Sequence, residues 1–97
     1  MVHDLDRVLH QPIRTRIVAF LASNGPTDYV TIRTKFKLTD GHMTTHMREL
    51  LKCEYVSYEK DFVDNKTPRT TYKLTAIGKK QFTAYTKALL EIITKGE

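Results

Sequence analysis

Residues 39–58 read TDGHMTTHMRELLKCEYVSY, and a change of periodicity inside this stretch decides the fold. The first part is helical. Thr39 has the short hydroxyl side chain that suits an N-cap, where it accepts from a backbone N–H that the helix leaves unpaired. Met43, Met47, Leu50 and Leu51 then fall within one narrow arc at about 100° per residue. This predicts a helix from Thr39 to about Cys53 with those four side chains turned inward. The outward arc carries Gly41, His42, Thr45, Arg48, Glu49 and Lys52, with Thr44 and His46 on its shoulders. After Cys53 the period falls to two. Val56, Tyr58 and Phe62 lie on alternating positions, the mark of a strand with one covered face.

Working outward, Thr70, Tyr72 and Leu74 repeat the alternation, and VDNKTP at 63–68 supplies turn formers between the two strands. A hairpin over about 56–74 follows. Thr75 is placed to cap a last helix from Ala76 to about Thr94. Upstream, the spacing of Leu5, Val8 and Leu9 predicts a short first helix. Pro12 suits the first turn of the next one, where its missing N–H costs nothing. Ile13, Ile17, Phe20 and Leu21 give that helix its apolar stripe, and Gly25-Pro26 ends it. Thr27 or Asp28 caps a further helix carrying Tyr29, Ile32 and Phe36, and Lys37-Leu38 links it tightly to Thr39. The expected order is four helices, two strands and a fifth helix. Two short helices joined by a tight link and followed by a hairpin make a winged helix-turn-helix, a mainly α member of the α+β class. At 97 residues the chain has room for one such domain, residues 1–97, and no second core.

Composition narrows the function. The chain is 40% apolar and 28% charged, as folded proteins in water are. No apolar run approaches the roughly 20 residues that span a bilayer, so no membrane partner is expected. The start, MVHDLDRV, is acidic and amphipathic where a secretory leader would be basic and then apolar. Cys53 is the one cysteine, which excludes an intramolecular disulfide framework and a CxxC zinc site. A cytoplasmic location follows as the expectation. An enzyme lacks its parts: there is no Gly-rich phosphate loop, no nucleophile elbow and no carboxylate pair tied to a cleft, and no cofactor is expected.

The net charge of +5 is unevenly spread. Residues 33–52 carry a basic surplus of three and residues 60–80 a surplus of four, Glu54 and Glu59 between them subtract two, and both ends are neutral. A footprint of this kind favours a polyanion. The helix after Thr39 offers mostly donors to solvent, and a B-DNA major groove admits one helix and presents acceptors to Arg and His and a methyl group to Thr. Thr39, His42, Thr44, Thr45, His46, Arg48 and Lys52 are therefore the candidate DNA contacts on the helix. Lys66, Arg69 and Thr70 are those on the hairpin, which can follow a phosphate backbone or reach a minor groove. Each has a plainer reading as a solvated residue. His42 and His46 also have the i, i+4 spacing of a two-His metal site, yet no further ligand is placed to complete a shell, and none is assigned. Glu49 either accepts from a cytosine amino group or lies away from phosphate. Cys53 reads as a small buried hydrophobe.

In the last helix Phe82, Tyr85, Leu89 and Ile92 follow the 3–4–3 spacing of a coiled-coil seam, with Leu90 and Ile93 forming a second strip. One strip can cover the helix's own domain. A second copy, related by a two-fold axis, would cover the other, with Leu5, Phe82, Tyr85, Leu89, Ile92 and Ile93 as the candidate interface. The alternative is that both strips fold back on the first helix. A dimer would set two recognition helices about 34 Å apart, one turn of DNA.

From about Leu5 onward the chain resembles the small single-domain winged-helix repressors of the MarR and ArsR superfamily. The segments that carry the likeness are LDRVLHQPIRTRIVAFLAS at 5–23, LTDGHMTTHMRELLKCEYV at 38–56 and TPRTTYKLTAIGKKQFTAY at 67–85. The resemblance implies a homodimer on a palindromic operator, usually as a repressor. It makes Thr39 to Lys52 the recognition helix and puts the wing within Lys60 to Thr71. The chain departs from metal-sensing members in lacking their cysteine pair, and from longer drug-responsive members in having little room for a ligand pocket. Two other uses of the fold stand beside this one. A protein–protein assembly module would show an apolar or acidic patch on the second helix of the motif. An effector- or metal-responsive sensor would still bind DNA.

Overall fold

Pro12 opens the first helix, α1 (Pro12–Asn24), from the N1 position, with the Gln11 side chain accepting from Arg14 N at 2.8 Å as its cap. The helix ends at Gly25, whose φ of +80° is a conformation that a side chain would strain. The remaining elements are β1 (Thr27–Asp28), α2 (Tyr29–Lys35), α3 (Asp40–Lys52), β2 (Val56–Val63), β3 (Thr67–Leu74) and α4 (Ala76–Lys95). This computed structural model describes residues 5–96. The winged-helix architecture, the hairpin and the capped helices are as expected, with Asp28, Thr39 and Thr75 as the observed caps.

Two expectations are corrected. Residues 5–9 form no helix. The Asp6 carboxylate instead accepts from Val8 N at 2.9 Å and Leu9 N at 3.0 Å, closing a turn. Helix cannot continue from there because Gln11 precedes proline and is held extended, at φ −148° and ψ 124°. The spacing of Leu5, Val8 and Leu9 is that of a packed turn, and Leu9 is fully buried. The second correction is a third strand. β1 pairs antiparallel with β3, placing Thr27 opposite Tyr72 and Asp28 opposite Thr71, so the sheet order is β1-β3-β2.

The core gathers Leu9, Ile17, Val18, Leu21, Ile32, Met43, Met47, Leu50, Tyr55, Val56, Tyr72 and Tyr85. At its edge the start of α4 is fixed against the backbone that follows α3. Thr75 N donates to Tyr55 O at 3.0 Å, and Thr75 Oγ1 donates to Glu54 O at 2.5 Å while accepting from Gly78 N at 2.9 Å. Gly78 makes this approach possible, since a Cβ there would stand 2.1 Å from Tyr55 O. The radius of gyration, 14.8 Å, exceeds the roughly 13 Å typical of a compact domain of about 100 residues. The excess reflects a hairpin and a helix with extensive exposed surface. From Tyr58 to Arg69 every residue is exposed. Among the described residues no helix is long and apolar enough to cross a membrane.

Candidate nucleic-acid interface

The candidate interface begins at the N-terminus of α3. Thr39 Oγ1 accepts from His42 N at 3.1 Å. Asp40 follows in the first turn, where a carboxylate complements the helix dipole. It also ties α3 to α2: the Tyr29 hydroxyl donates to Asp40 Oδ1 at 2.7 Å, and Arg33 Nη1 donates to the same oxygen at 2.9 Å. The tyrosine hydroxyl, then the guanidinium, hold the Asp40 carboxyl below its ordinary range, and the same bond raises the Tyr29 phenol. Two helices of one motif are thus clamped at their junction, which fixes the direction in which α3 presents its outer face.

The inner face of α3 is buried where the sequence places it inward, at Met43, Met47 and Leu50, while Leu51 is half-buried. Gly41, His42, Thr44, Thr45, Arg48 and Lys52 are exposed. Arg48 has no ion pair or hydrogen bond among the described residues, so its fork of donors is available to a partner. Thr45 Oγ1 donates to Gly41 O at 3.0 Å, leaving its methyl group and lone pairs outward. Lys52 lies 3.7 Å from Glu49, a pairing that draws the acid's charge along the helix.

His46 is half-buried and turned toward α1. Its Nδ1 lies 3.1 Å from Arg14 Nη1, and Arg14 Nε donates to Val8 O at 2.6 Å. A guanidinium has no acceptor, so Nδ1 must accept and the ring proton sits on Nε2. Burial, then the Arg14 charge, lowers the His46 pKa from its usual 6.5. His42 and His46 therefore have different environments on one helix. No three His, Cys, Asp or Glu side chains converge as metal ligands among the described residues. Cys53 is half-buried against the core, and burial followed by the Asp6 charge raises its thiol. That disfavours the reactive thiolate.

The wing is the hairpin β2–β3, turned through Asp64, Asn65 and Lys66. Asp64 and Asn65 adopt φ of 54° and 58°, which these residue types tolerate better than most. Lys66 is exposed at the tip. Arg69 is paired across the ladder: Nη2 and Nε donate to the two Asp61 oxygens at 2.6 and 3.1 Å. Of the two wing cations named from sequence, Lys66 is unpaired among the described residues and Arg69 has its own acid. Thr70 is half-buried on the face opposite Arg69.

Between α3 and the sheet lies a solvent-open depression of about 490 Å³, lined by Tyr29, Thr44, Met47, Arg48, Leu51, Lys52 and Tyr72. Sequence reading brings Thr44, Arg48 and Lys52 to one stripe but gives no sign that Tyr29 and Tyr72 share their floor. The period-two pattern turns Tyr72 inward, yet only the packing of α2 and β3 against α3 brings the two tyrosines together.

On α4 the apolar residues divide. Tyr85 is 5% exposed and its hydroxyl lies 2.9 Å from His10 Nδ1, while Leu5, Phe82 and Leu89 pack against the core. Ile92 is half-buried, whereas Leu90 and Ile93 are 60% and 69% exposed. The expected second strip is thus open to solvent, and most of the first covers the domain itself.

The family model described as winged helix DNA-binding domain matches residues 13–93. An uncharacterized protein of Methanocaldococcus jannaschii is 24% identical over 86 residues, 89% of this chain and 92% of its own. A transcriptional regulator homologue from Pyrococcus horikoshii superposes with a TM-score of 0.84 at 25% identity, over 95% of this chain and 90% of that one. A possible transcriptional regulator for arsenical resistance gives 0.69 at 25% identity, over 91% and 85%. A PadR-like transcription factor from Bacteroides fragilis shares the fold alone, at 21% identity, with a TM-score of 0.64 over 89% and 93%.

Proposed function

This chain belongs to the winged helix DNA-binding domain family, and from that premise we propose that it is a transcriptional repressor that reads a palindromic operator as a homodimer. The family works by binding DNA, not by catalysis. In this reading α3 enters the major groove by its N-terminal end, with Thr39, His42, Thr44, Thr45 and Arg48 toward base edges and neighbouring phosphates. Lys52 and the Nε2–H of His46 meet the backbone, and Lys66, with Arg69 and Thr70, flanks them from the wing. The protein would act in the cytoplasm.

The observation that carries the reading is the state of Arg48: exposed at the middle of α3, unpaired among the described residues, and flanked by exposed threonines. No large exposed hydrophobic lies on α3, which is the patch an assembly module would need. Exposed Leu90 and Ile93 support the dimer, since a self-complementary contact would cover them in both copies at once. Two of the similar solved structures are a transcriptional regulator homologue and a possible transcriptional regulator for arsenical resistance, which supports a regulatory role.

Selection of bound fragments from a random duplex library tests the proposal. The expected result is an inverted repeat with half-sites about one helical turn apart. Recovery of unrelated sequences with no shared half-site would contradict sequence reading by α3.

A further inference from the structure

Asp40 is an acid on a surface otherwise rich in donors. It opens the first turn of α3, the end that enters a major groove first, and its side chain is 71% exposed. Thr44 and Arg48 follow it at i+4 and i+8, both exposed, so the three form one stripe. At 1.5 Å per residue that stripe is about 12 Å long, the span of roughly three to four base-pair steps.

The carboxylate has one oxygen occupied and the other free. The Tyr29 hydroxyl and Arg33 Nη1 both donate to Oδ1, at 2.7 and 2.9 Å, while Oδ2 has no partner among the described residues. Two donors from α2 fix the direction of the group, and the same bonds keep it ionised. Oδ2 is not needed as a helix cap, because Thr39 Oγ1 already accepts from His42 N. A tie between the two helices is complete with Oδ1 alone.

A charge of this sign repels phosphate, so it weakens binding to DNA in general. What it adds is an acceptor. The exposed arc of α3 otherwise offers His42, Thr44, Thr45, Arg48 and Lys52. Glu49, the other acid of the helix, is half-buried and lies 3.7 Å from Lys52. In the major groove cytosine presents an amino donor and no acceptor. Adenine sets N7 beside its amino group, and guanine and thymine present O6 and O4, all of which repel a carboxylate.

We infer that Asp40 is a specificity-determining residue, accepting through Oδ2 from the N4 amino group of one cytosine in each half-site and rejecting the other three bases there. This rests on the proposed function, and it places an acceptor about two turns from the donors of Arg48 on the same stripe.

Selection from a random duplex library with wild type, Asp40→Asn and Asp40→Ala tests it, with each recovered position then varied and measured by fluorescence anisotropy. Asparagine keeps a carbonyl for Tyr29 and Arg33 but puts an NH₂ donor in place of Oδ2. Wild type should prefer cytosine at one position of each half-site by about five- to a hundredfold. Asp40→Asn should exchange that cytosine for a base with an acceptor and keep the rest of the half-site. Asp40→Ala should bind the four bases alike at that position. The same bases recovered by wild type and Asp40→Asn would overturn the inference and leave the reading of α3 standing. So would a uniform loss of affinity with no position changed, the result expected of a helix tie alone. A wild type that recovers no shared sequence would overturn the proposed function and this inference with it.

Discussion

Arg14 and His46, on α1 and α3, are joined at 3.1 Å with the imidazole accepting, so α3 is tethered to α1 through a neutral histidine. Protonating Nδ1 removes the acceptor and sets two cations side by side.

The pH consequence follows from the direction of the shift. The folded His46 has a pKa below its usual 6.5, so the unfolded chain binds the proton more readily. This contribution is fully present above 6.5 and is lost as the pH falls through the lower folded value. Thermal unfolding followed from neutral to mildly acidic pH should show a falling Tm, and the fall should be shallower in His46→Gln. Equal slopes in the two proteins would remove the role given to the tether.

Gly78 permits the contact between α4 and the loop after α3. In Gly78→Ala the added Cβ would meet Tyr55 O at 2.1 Å and Leu74 Cδ1 at 2.7 Å, and the first of these is backbone that cannot swing aside. Overpacking of this kind costs about 1–3 kcal/mol, which outweighs the usual gain of roughly 1 kcal/mol from alanine inside a helix. Chemical denaturation should show the loss as a lower midpoint at unchanged slope.

Leu90 and Ile93 stand one turn apart on α4 and are the two most exposed large hydrophobic residues of that helix. The double substitution Leu90→Glu with Ile93→Glu touches no core residue, so the monomer fold should persist by circular dichroism. If these residues pair two copies, sedimentation should report a dimer for wild type and a monomer for the variant. The variant should then lose operator affinity by more than tenfold, because two half-sites are no longer held together. A wild-type monomer would contradict the dimer.

Much of this was legible in the sequence because capping and periodicity are local. Thr39 and Thr75 announce two helices through their own side chains, and the shift from the 43–47–50 spacing to the alternation at 56–58 marks where helix gives way to strand. Leu5 to Leu9 misled because a buried turn satisfies the same spacing as one helical turn, and Pro12 acts on the residue before it. β1 escaped because two residues carry no period, and its existence depends on β3 being alongside. At the candidate site, the outward arc of α3 was readable. The pairing of Arg69 with Asp61 and of His46 with Arg14 was not, since each depends on a neighbour that only the folded chain supplies.

If the exposed face of α3 reads base sequence, Arg48, unpaired among the described residues, is the residue whose loss should show it. Anisotropy titrations of wild type and Arg48→Ala onto a selected operator and onto a scrambled duplex measure affinity and preference together. Arg48→Ala should weaken operator binding by roughly five- to a hundredfold and narrow the gap between the two duplexes, as losing a base contact worth about 1–3 kcal/mol requires. Unchanged affinity and unchanged preference would contradict sequence reading by α3.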